Sequence, residues 1–470
     1  MVYEDLGIKF KREIPSYSYE EVLKWTPEKL GELRKKKQKE ITILFPTLNR
    51  DTAEYYNSVD SSVDAACELL DMGFSEGGVE KKEENSPISQ VMFIDGSSKN
   101  GKPDLDFGRR IINRALNKSE RLKAEVELID PELPESRKRY MSLKILNQKG
   151  RTISKIVRED ISPRLEKVYR KAVDGFDVGK GPGCWIGIPS SFGDLIGTID
   201  TDIRPPKESK MTIKDYAVAL AMPALKDNLN YVKFDYLRIN EVGGKLKPGG
   251  RINRNVYQTW MSIFQNFGFF MGLNLGHATS GECLGVREKL NDTEVGPGYR
   301  LEVSLNMGSY LANEGDVSKM GQVHVGPWKH IPSGEDAMGK MAGQVTEALI
   351  GYAYSTGLRL TTSQLMKVYE FEFEQNLKRF KEKIDNIPLA QKLGVTYEEV
   401  DMEEDRHRVY DIYWPHIERG VETALRAKGM PNVLPKWNSV KIEVGNERYV
   451  KLKADMAQAS TLYTLELANL

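Results

Sequence analysis

Between residues 41 and 240, short apolar runs alternate with helical patterns, and no other feature restricts the fold of this 470-residue chain as much. Ile41-Thr42-Ile43-Leu44-Phe45-Pro46 reads as a strand, and a helical pattern follows from about Thr52 to Leu70. After a polar stretch from Ser75 to Ser86, the spacing predicts a second strand over Gln90 to Asp95 and a helix from about Asp106 to Asn117. A third strand is expected near Ala124 to Ile129, a fourth over Gly193 to Asp200 and a fifth over Asn230 to Leu237. Strands joined by helices of this length cannot form hairpins, so the expected class is α/β, a mostly parallel sheet covered by helices on both faces.

Around that region the chain divides into further stretches. Residues 1–40 read as an N-terminal helical extension, in which Thr26-Pro27 supplies an N-cap and a first-turn proline and Arg34 to Lys39 closes the last turn. The run Arg34-Lys35-Lys36-Lys37 is taken as a solvated helix end rather than a binding patch. Residues 131–175 look like a charged helical insertion into the 41–240 region. Over 241–350 helices dominate, with a short strand at Gly321 to Val325, and 351–470 reads as a charged helical C-terminal extension packed on the rest.

Composition excludes several function classes. Lysines and arginines number 68 against 68 aspartates and glutamates, a balance that gives no bulk attraction to nucleic acid or an anionic membrane. Cys67, Cys184 and Cys283 lie far apart, which argues against a disulfide scaffold or a structural zinc site and for a reducing, cytoplasmic setting. The N-terminus has no apolar core of the kind a signal peptide carries. The most apolar stretch, Trp260 to Leu275, is broken by polar residues and glycines and is too short to span about 30 Å of hydrocarbon. A soluble protein is expected.

Five residue groups carry chemistry. In Ile199-Asp200-Thr201-Asp202, two carboxylates stand one residue apart where the fourth strand ends. Oxygen-only ligands suit Mg2+ or Mn2+, and ligands bind at the C-terminal edge of open parallel sheets; a plain acidic turn is the competing reading. Gly179-Lys180-Gly181-Pro182-Gly183 lets the backbone approach a phosphate while Lys180 balances its charge, or is simply a flexible turn. Lys247-Pro248-Gly249-Gly250-Arg251-Ile252-Asn253 leads into a helix, where free N–H groups and a guanidinium suit a phosphate or carboxylate as well as a structural cap. His330 follows a strand in Gly326-Pro327-Trp328-Lys329-His330 and is either a metal ligand or a surface histidine. Glu302, in Gly298-Tyr299-Arg300-Leu301-Glu302, opens a helix, where its charge also favours the dipole.

Their order along the chain is more informative than any one of them. Taken in sequence, and together with Phe45-Pro46-Thr47-Leu48-Asn49, Asp95-Gly96-Ser97-Ser98, Val232-Lys233-Phe234 and Ser280-Gly281-Glu282, these motifs resemble the retaining glucosyl-3-phosphoglycerate synthases of glycosyltransferase family 81. They are also similar to the related mannosyl-3-phosphoglycerate synthases. The resemblance covers about 30–345, apart from the 131–175 insertion, and not the C-terminal third.

The resemblance implies a GT-A fold and a metal-dependent transfer of a hexose, glucose favoured, from a UDP- or GDP-sugar to 3-phosphoglycerate. It implies that Pro46, Thr47 and Leu48 hold the nucleoside, with Ser97 and Lys180 near the uridine and diphosphate and Asp200 on the ribose or sugar. Asp202 and His330 would bind Mg2+ or Mn2+. Gly250, Arg251 and Asn253 would grip the acceptor, with Ser280 and Gly281 beside them, and Glu302 would bind sugar hydroxyls near the anomeric carbon. Lys180, Asp200 and Glu302 are the residues on which the chemistry would rest, and a homodimer is expected by the same analogy.

Three positions depart from the family pattern: Arg50 replaces an acidic residue, Asn253 a threonine and Ser280 a glycine. The first bears on the choice of nucleotide and the other two on the acceptor. The competing functions are mannosyl transfer from GDP-mannose, a sugar-phosphate nucleotidylyltransferase and a non-catalytic nucleotide-sugar-binding protein. The nucleotidylyltransferase would require a glycine-rich phosphate loop, and Pro46 to Asp51 contains no glycine.

Overall fold

A computed structural model of the chain describes residues 13–47, 52–72, 86–99, 102–127, 141–148, 153, 155–161, 179–203, 205–206, 209–329, 334–430 and 433–468. Leu48, Arg50 and His330, the stretch 75–85 and most of 131–175 lie outside these residues.

A nine-stranded sheet organises the fold. Its strands are β1 (Ser16–Tyr17), β2 (Ile41–Thr47), β3 (Gln90–Asp95), β4 (Leu143–Asn147), β5 (Leu195–Thr198), β6 (Tyr231–Val242), β7 (Lys245–Pro248), β8 (Cys283–Val286) and β9 (Met320–Trp328). The order across the sheet is β1-β9-β6-β8-β5-β2-β3-β4, with β7 paired antiparallel to the far end of β6. Along that path only β8 runs antiparallel to its neighbours, β5 and β6. This is the expected α/β arrangement, a mostly parallel sheet flanked by helices. Strands from both the 41–240 and the 241–350 stretches share the one sheet.

The strands are buried because the sheet is covered on both faces. β2 and β3 carry near-continuous apolar runs with almost no exposure. One face is covered by α1 (Pro27–Lys37), α2 (Ala53–Asp71), α3 (Leu105–Lys118) and α6 (Ile213–Lys226), whose apolar residues share a core with Ile41, Ile43, Phe45, Val91 and Phe93. On the other face α5 (Lys180–Ser190) and α7 (Gln258–Asn266) share a core with the C-terminal helices and Leu44, Met92 and Ile94. The N-cap forecast at Thr26 is made, its hydroxyl accepting from Lys29 N–H, and Thr52, where the next helical pattern is expected to start, caps α2 by accepting from Tyr55 N–H.

Four local expectations give way to tertiary structure. The third strand expected near 124–129 is not formed over its described residues, because Glu120–Glu127 is a helix, α4, whose start is held by the Ser119 hydroxyl accepting from Leu122 N–H at 3.0 Å. The edge strand is instead β4, which falls inside the supposed helical insertion; its apolar run Leu143–Asn147 is buried on both faces. The glycine-rich segment at 179–183 is no flexible turn but the start of α5. Its glycines permit close packing, since a Cβ on Gly183 would stand 2.7 Å from Ile94 Cγ2 and 2.5 Å from Gln148 Nε2. Finally, Arg34 is not solvated. It is 5% exposed and donates to Glu40 (2.8 Å), the Ser86 carbonyl (2.8 Å) and Ser89 (3.0 Å).

The C-terminal extension is helical and integral to the fold. α9 (Glu335–Ser355) packs on α12 (Trp414–Ala427), and α10 (Thr362–Asn386) packs on α7. The last helix, α13 (Asn446–Leu467), closes the free edge of β4, where Thr464 Oγ1 accepts from Ile145 N–H at 2.9 Å. Trp185 and Trp437 stack at 4.4 Å, and each indole N–H donates to a carbonyl, Trp185 to Pro435 and Trp437 to Trp185, both at 2.7 Å. Among the described residues no helix is long and apolar enough to cross a membrane.

Candidate active site

Where the parallel strands end, a cavity of about 470 Å3 opens between the sheet, α5, α8 (Leu301–Ala312) and α9. β2 contributes Pro46 and Thr47, the segment after β5 contributes Asp200 and Asp202, and β6 contributes Tyr236 and Arg238. β8 runs the other way, so it brings the residues at its beginning, Gly281 and Glu282, to the same edge.

The Asp-x-Asp segment is locked by its middle residue. Thr201 Oγ1 donates to the Pro46 carbonyl at 2.9 Å and lies 3.1 Å from the Tyr55 hydroxyl. With Thr201 turned into the fold, Asp200 and Asp202 both line the cavity. Asp202 is therefore placed to offer a hard oxygen ligand to a divalent cation, while His330, its expected partner, lies outside the described residues. Among the described residues, no three His, Cys, Asp or Glu side chains are grouped as a complete metal site. A single carboxylate beside open space fits Mg2+ or Mn2+, which keep several waters and take further oxygens from a bound diphosphate.

Lys180 is the hub of this end. Its ammonium lies 2.7 and 2.9 Å from the two Asp200 oxygens and 2.9 Å from Glu302 Oε1. Burial opposes its charge, but Asp200, Glu302 and Glu282 outweigh that and raise its pKa well above the ordinary lysine value, so it stays protonated. A side chain on Gly281 would collide with Asp200 and the Lys180 ammonium, which explains why glycine stands there. Beneath them Glu282 is 2% exposed, and its Oε2 has no hydrogen-bond partner. Burial, reinforced by Asp200, pushes its pKa up to about 8. Lys233, also fully buried and with its pKa lowered by burial, donates to the Ser280 carbonyl.

The opposite end is basic. Gly249-Gly250-Arg251 forms the turn after β7, with Gly250 at φ +72°, and a Cβ on Gly250 would stand 2.7 Å from His277 Cε1. Arg254 fixes this turn from behind, donating to the carbonyls of Gly249 (2.7 Å) and Pro248 (3.2 Å) and pairing with Asp405 at 2.7 and 3.0 Å. Arg251 faces the cavity and has no ion pair with a described residue; burial, Arg408 and Arg254 all disfavour its charge. Asn253 also lines the cavity, and its amide donates to the Gly276 carbonyl at 2.8 Å.

The cavity thus gathers Pro46, Thr47, Lys180, Asp200, Asp202, Gly250, Arg251, Asn253, Gly281 and Glu302. Two residues named with them lie behind its wall. Ser97 is buried with its N–H on Asp95 Oδ1 at 2.7 Å, and the buried Ser280 hydroxyl donates to the Phe234 carbonyl. Neither lines the cavity.

Sequence reasoning assigned no role to Tyr236, Arg238, Glu282, Tyr299 or Trp328, all of which line the cavity. For Glu282 a signal existed in Ser280-Gly281-Glu282. For Arg238 it did not, because the strand was expected to stop at Leu237 but continues to Val242.

Neither a protein-family model nor a curated protein matches the chain. Among solved structures it is similar to glucosyl-3-phosphoglycerate synthase from Mycobacterium tuberculosis. One, in complex with Mn2+, uridine diphosphate and phosphoglyceric acid, is 18% identical over 72% of this chain and 85% of the other, with a TM-score of 0.45. A second, with Mn2+, uridine diphosphate and glucosyl-3-phosphoglycerate, is 18% identical over 74% and 90%, with a TM-score of 0.47. A third, with Mn2+ and uridine-diphosphate-glucose, is 17% identical over 74% and 89%, again with a TM-score of 0.47.

Proposed function

We propose that this chain is a metal-dependent, retaining hexosyltransferase that moves glucose from a nucleotide-sugar to 3-phosphoglycerate. The observation that carries the reading is the polarity of the cavity. Asp200, Glu282 and Glu302 surround Lys180 at one end, where Asp202 also lines the cavity, and Arg251 faces the cavity without a counter-ion among the described residues. Excess carboxylate suits a cation with its diphosphate and a sugar that becomes oxocarbenium-like, whereas a free guanidinium suits a phosphorylated acid.

In this reading Asp202, with His330, would hold Mg2+ or Mn2+, which supplies charge neutralisation for the leaving diphosphate. Lys180, kept protonated by its carboxylate neighbours, stabilises the same developing charge. Glu302, on the first turn of α8, favours positive charge at the anomeric carbon. The acceptor hydroxyl attacks on the face the diphosphate leaves. The anomeric carbon–phosphate oxygen bond breaks, the carbon–glycerate oxygen bond forms, and the hydroxyl proton passes to the departing phosphate oxygen. Trapping of a glycosyl-enzyme would refute this course.

The deciding experiment offers the purified protein UDP-glucose, GDP-glucose or GDP-mannose with 3-phosphoglycerate and MgCl2 or MnCl2, and reads the product by mass spectrometry. A phosphorylated hexosyl-glycerate supports the reading and identifies sugar and base, GDP-mannose being the second candidate donor. Tight donor binding without turnover would instead favour a binding protein. Asp202→Ala is expected to abolish metal-dependent turnover, and Arg251→Ala to raise the acceptor KM far more than the donor KM. The resemblance also carries the expectation of a homodimer, which light scattering of the purified chain checks, and the cysteine usage that of a cytoplasmic setting.

A further inference from the structure

We infer that Arg238 is a second anion-binding residue of the acceptor end, pairing with Arg251 to select acceptors that carry a doubly charged group such as a phosphate monoester. The inference rests on the transferase reading above and deepens it.

Arg238 lies on β6 opposite Trp328 of β9, where the two strands reach the cavity. Its side chain runs along the acceptor turn. Gly249 N–H donates to the Arg238 carbonyl at 2.7 Å, and a Cβ on Gly249 would stand 2.7 Å from Arg238 Cγ. Glycine at 249 is therefore the residue that lets the guanidinium pass. The next glycine turns the chain, and Arg251 follows on the same cavity wall.

The charges around the cavity leave Arg238 without a counter-ion. Lys180 is answered by Asp200 and Glu302, and Arg254, behind the turn, by Asp405. The Arg238 guanidinium makes no hydrogen bond or ion pair with any described residue, and its buried Nε has no partner. The titratable rings near it offer no charge either: burial and Arg238 itself lower the pKa of His277 to about 3, so the imidazole is neutral, and burial raises the pKa of the Tyr236 hydroxyl well above its ordinary value. A buried guanidinium nitrogen left unsatisfied is costly in the empty protein and is satisfied by an incoming oxyanion. A phosphate dianion needs two positive charges, and the two guanidiniums unpaired with described residues at this end supply them. The placement on Gly249, in the turn that leads directly to Arg251, assigns Arg238 to the acceptor rather than to the donor diphosphate.

The test compares wild type, Arg238→Met and Arg238→Lys, each checked for an unchanged circular-dichroism spectrum and melting temperature. With 3-phosphoglycerate, Arg238→Met is expected to raise the acceptor KM at least tenfold, leave the nucleotide-sugar KM within twofold, and lose most of the preference for 3-phosphoglycerate over unphosphorylated glycerate. Arg238→Lys should recover part of that preference. An unchanged acceptor KM in a folded Arg238→Met protein, or a rise in the donor KM instead, overturns the inference. If wild type transfers no hexose to 3-phosphoglycerate, the transferase reading fails separately. Calorimetric titration with inorganic phosphate then decides the matter for Arg238: weaker binding by Arg238→Met than by wild type supports the assignment, and equal or absent binding in both removes it.

Discussion

Arg254 and Lys180 are both cations enclosed by carboxylates, yet their surroundings are finished to different degrees. Arg254 has Asp405 in a bidentate pair, two backbone carbonyls, and the rings of Phe380 and Tyr397 at 5.2 and 5.4 Å. Asp405 is fully buried and takes a further hydrogen bond from the Tyr397 hydroxyl at 2.7 Å. No buried side-chain atom of Arg254, Asp405 or Tyr397 is left without a partner. Lys180 has two carboxylates on one ammonium, with Asp202 lining the same cavity and Glu282 holding an unpartnered oxygen beneath it. The first cluster joins the C-terminal extension to the turn before Arg251, whereas the second holds negative charge in reserve for what enters the cavity. A saturated buried pair contributes to the fold, and an unsaturated one is poised for a ligand.

The largest expected effect breaks the saturated cluster. Asp405→Asn leaves a buried guanidinium without its counter-charge, which typically costs about 3–5 kcal/mol. Chemical denaturation should show that loss, with activity falling alongside it. Unchanged stability would mean that the extension does not hold the turn.

Next comes the unsaturated cluster, where the same kind of change should act on rate. In the proposed reaction Lys180 is one stabiliser of the leaving group, and Lys180→Met is expected to lower kcat about 100- to 1,000-fold in the transfer assay. Its melting temperature should fall less than that of Asp405→Asn, and the reverse pattern would exchange the roles of the two clusters.

His277, against Gly250, gives the fold a pH dependence. His277 is 6% exposed and neutral, with a pKa of about 3 in place of 6.5. The unfolded chain therefore binds the extra proton between those values, and stability falls as pH drops through that window. At pH 5 the folded imidazole is still neutral, so this one group should cost about 2 kcal/mol relative to neutral pH. Thermal unfolding of wild type against His277→Gln checks this, because the acid-side decline should be shallower in the variant.

The smallest effect is expected far from both clusters. Arg110 pairs with Asp60 at 2.7 Å, but its side chain is 43% exposed, and Arg110→Ala should shift stability by less than about 1 kcal/mol.

Much of the scaffold was legible from local chemistry. The runs of β2 and β3 are apolar throughout and bounded by turn and cap residues, so their limits could be read within a residue or two. Asp200 and Asp202 were recognisable because they follow such a run. The 120–147 region misled because Glu120–Glu127 and Leu143–Asn147 are both short and partly apolar, and only pairing with β3 distinguishes the second as a strand. Arg34 misled for a similar reason: three lysines follow it, and nothing local says that its guanidinium turns inward to Ser86 and Glu40.

By itself, the sequence determined which segments must be buried, where helices begin, and which carboxylates, lysine and arginine stand at the ends of strands. Those properties depend on a few neighbouring residues and their periodicity. The tertiary structure decided that β8 enters antiparallel between β5 and β6, which sets Gly281 and Glu282 against an ion pair whose members, Lys180 and Glu302, are 122 residues apart. It also decided that β6 is long enough to carry Arg238 onto the Gly249-Gly250 turn. Contacts at such separation follow from strand order and close glycine packing. Periodicity along the chain specifies which face is apolar but not which strand it will meet.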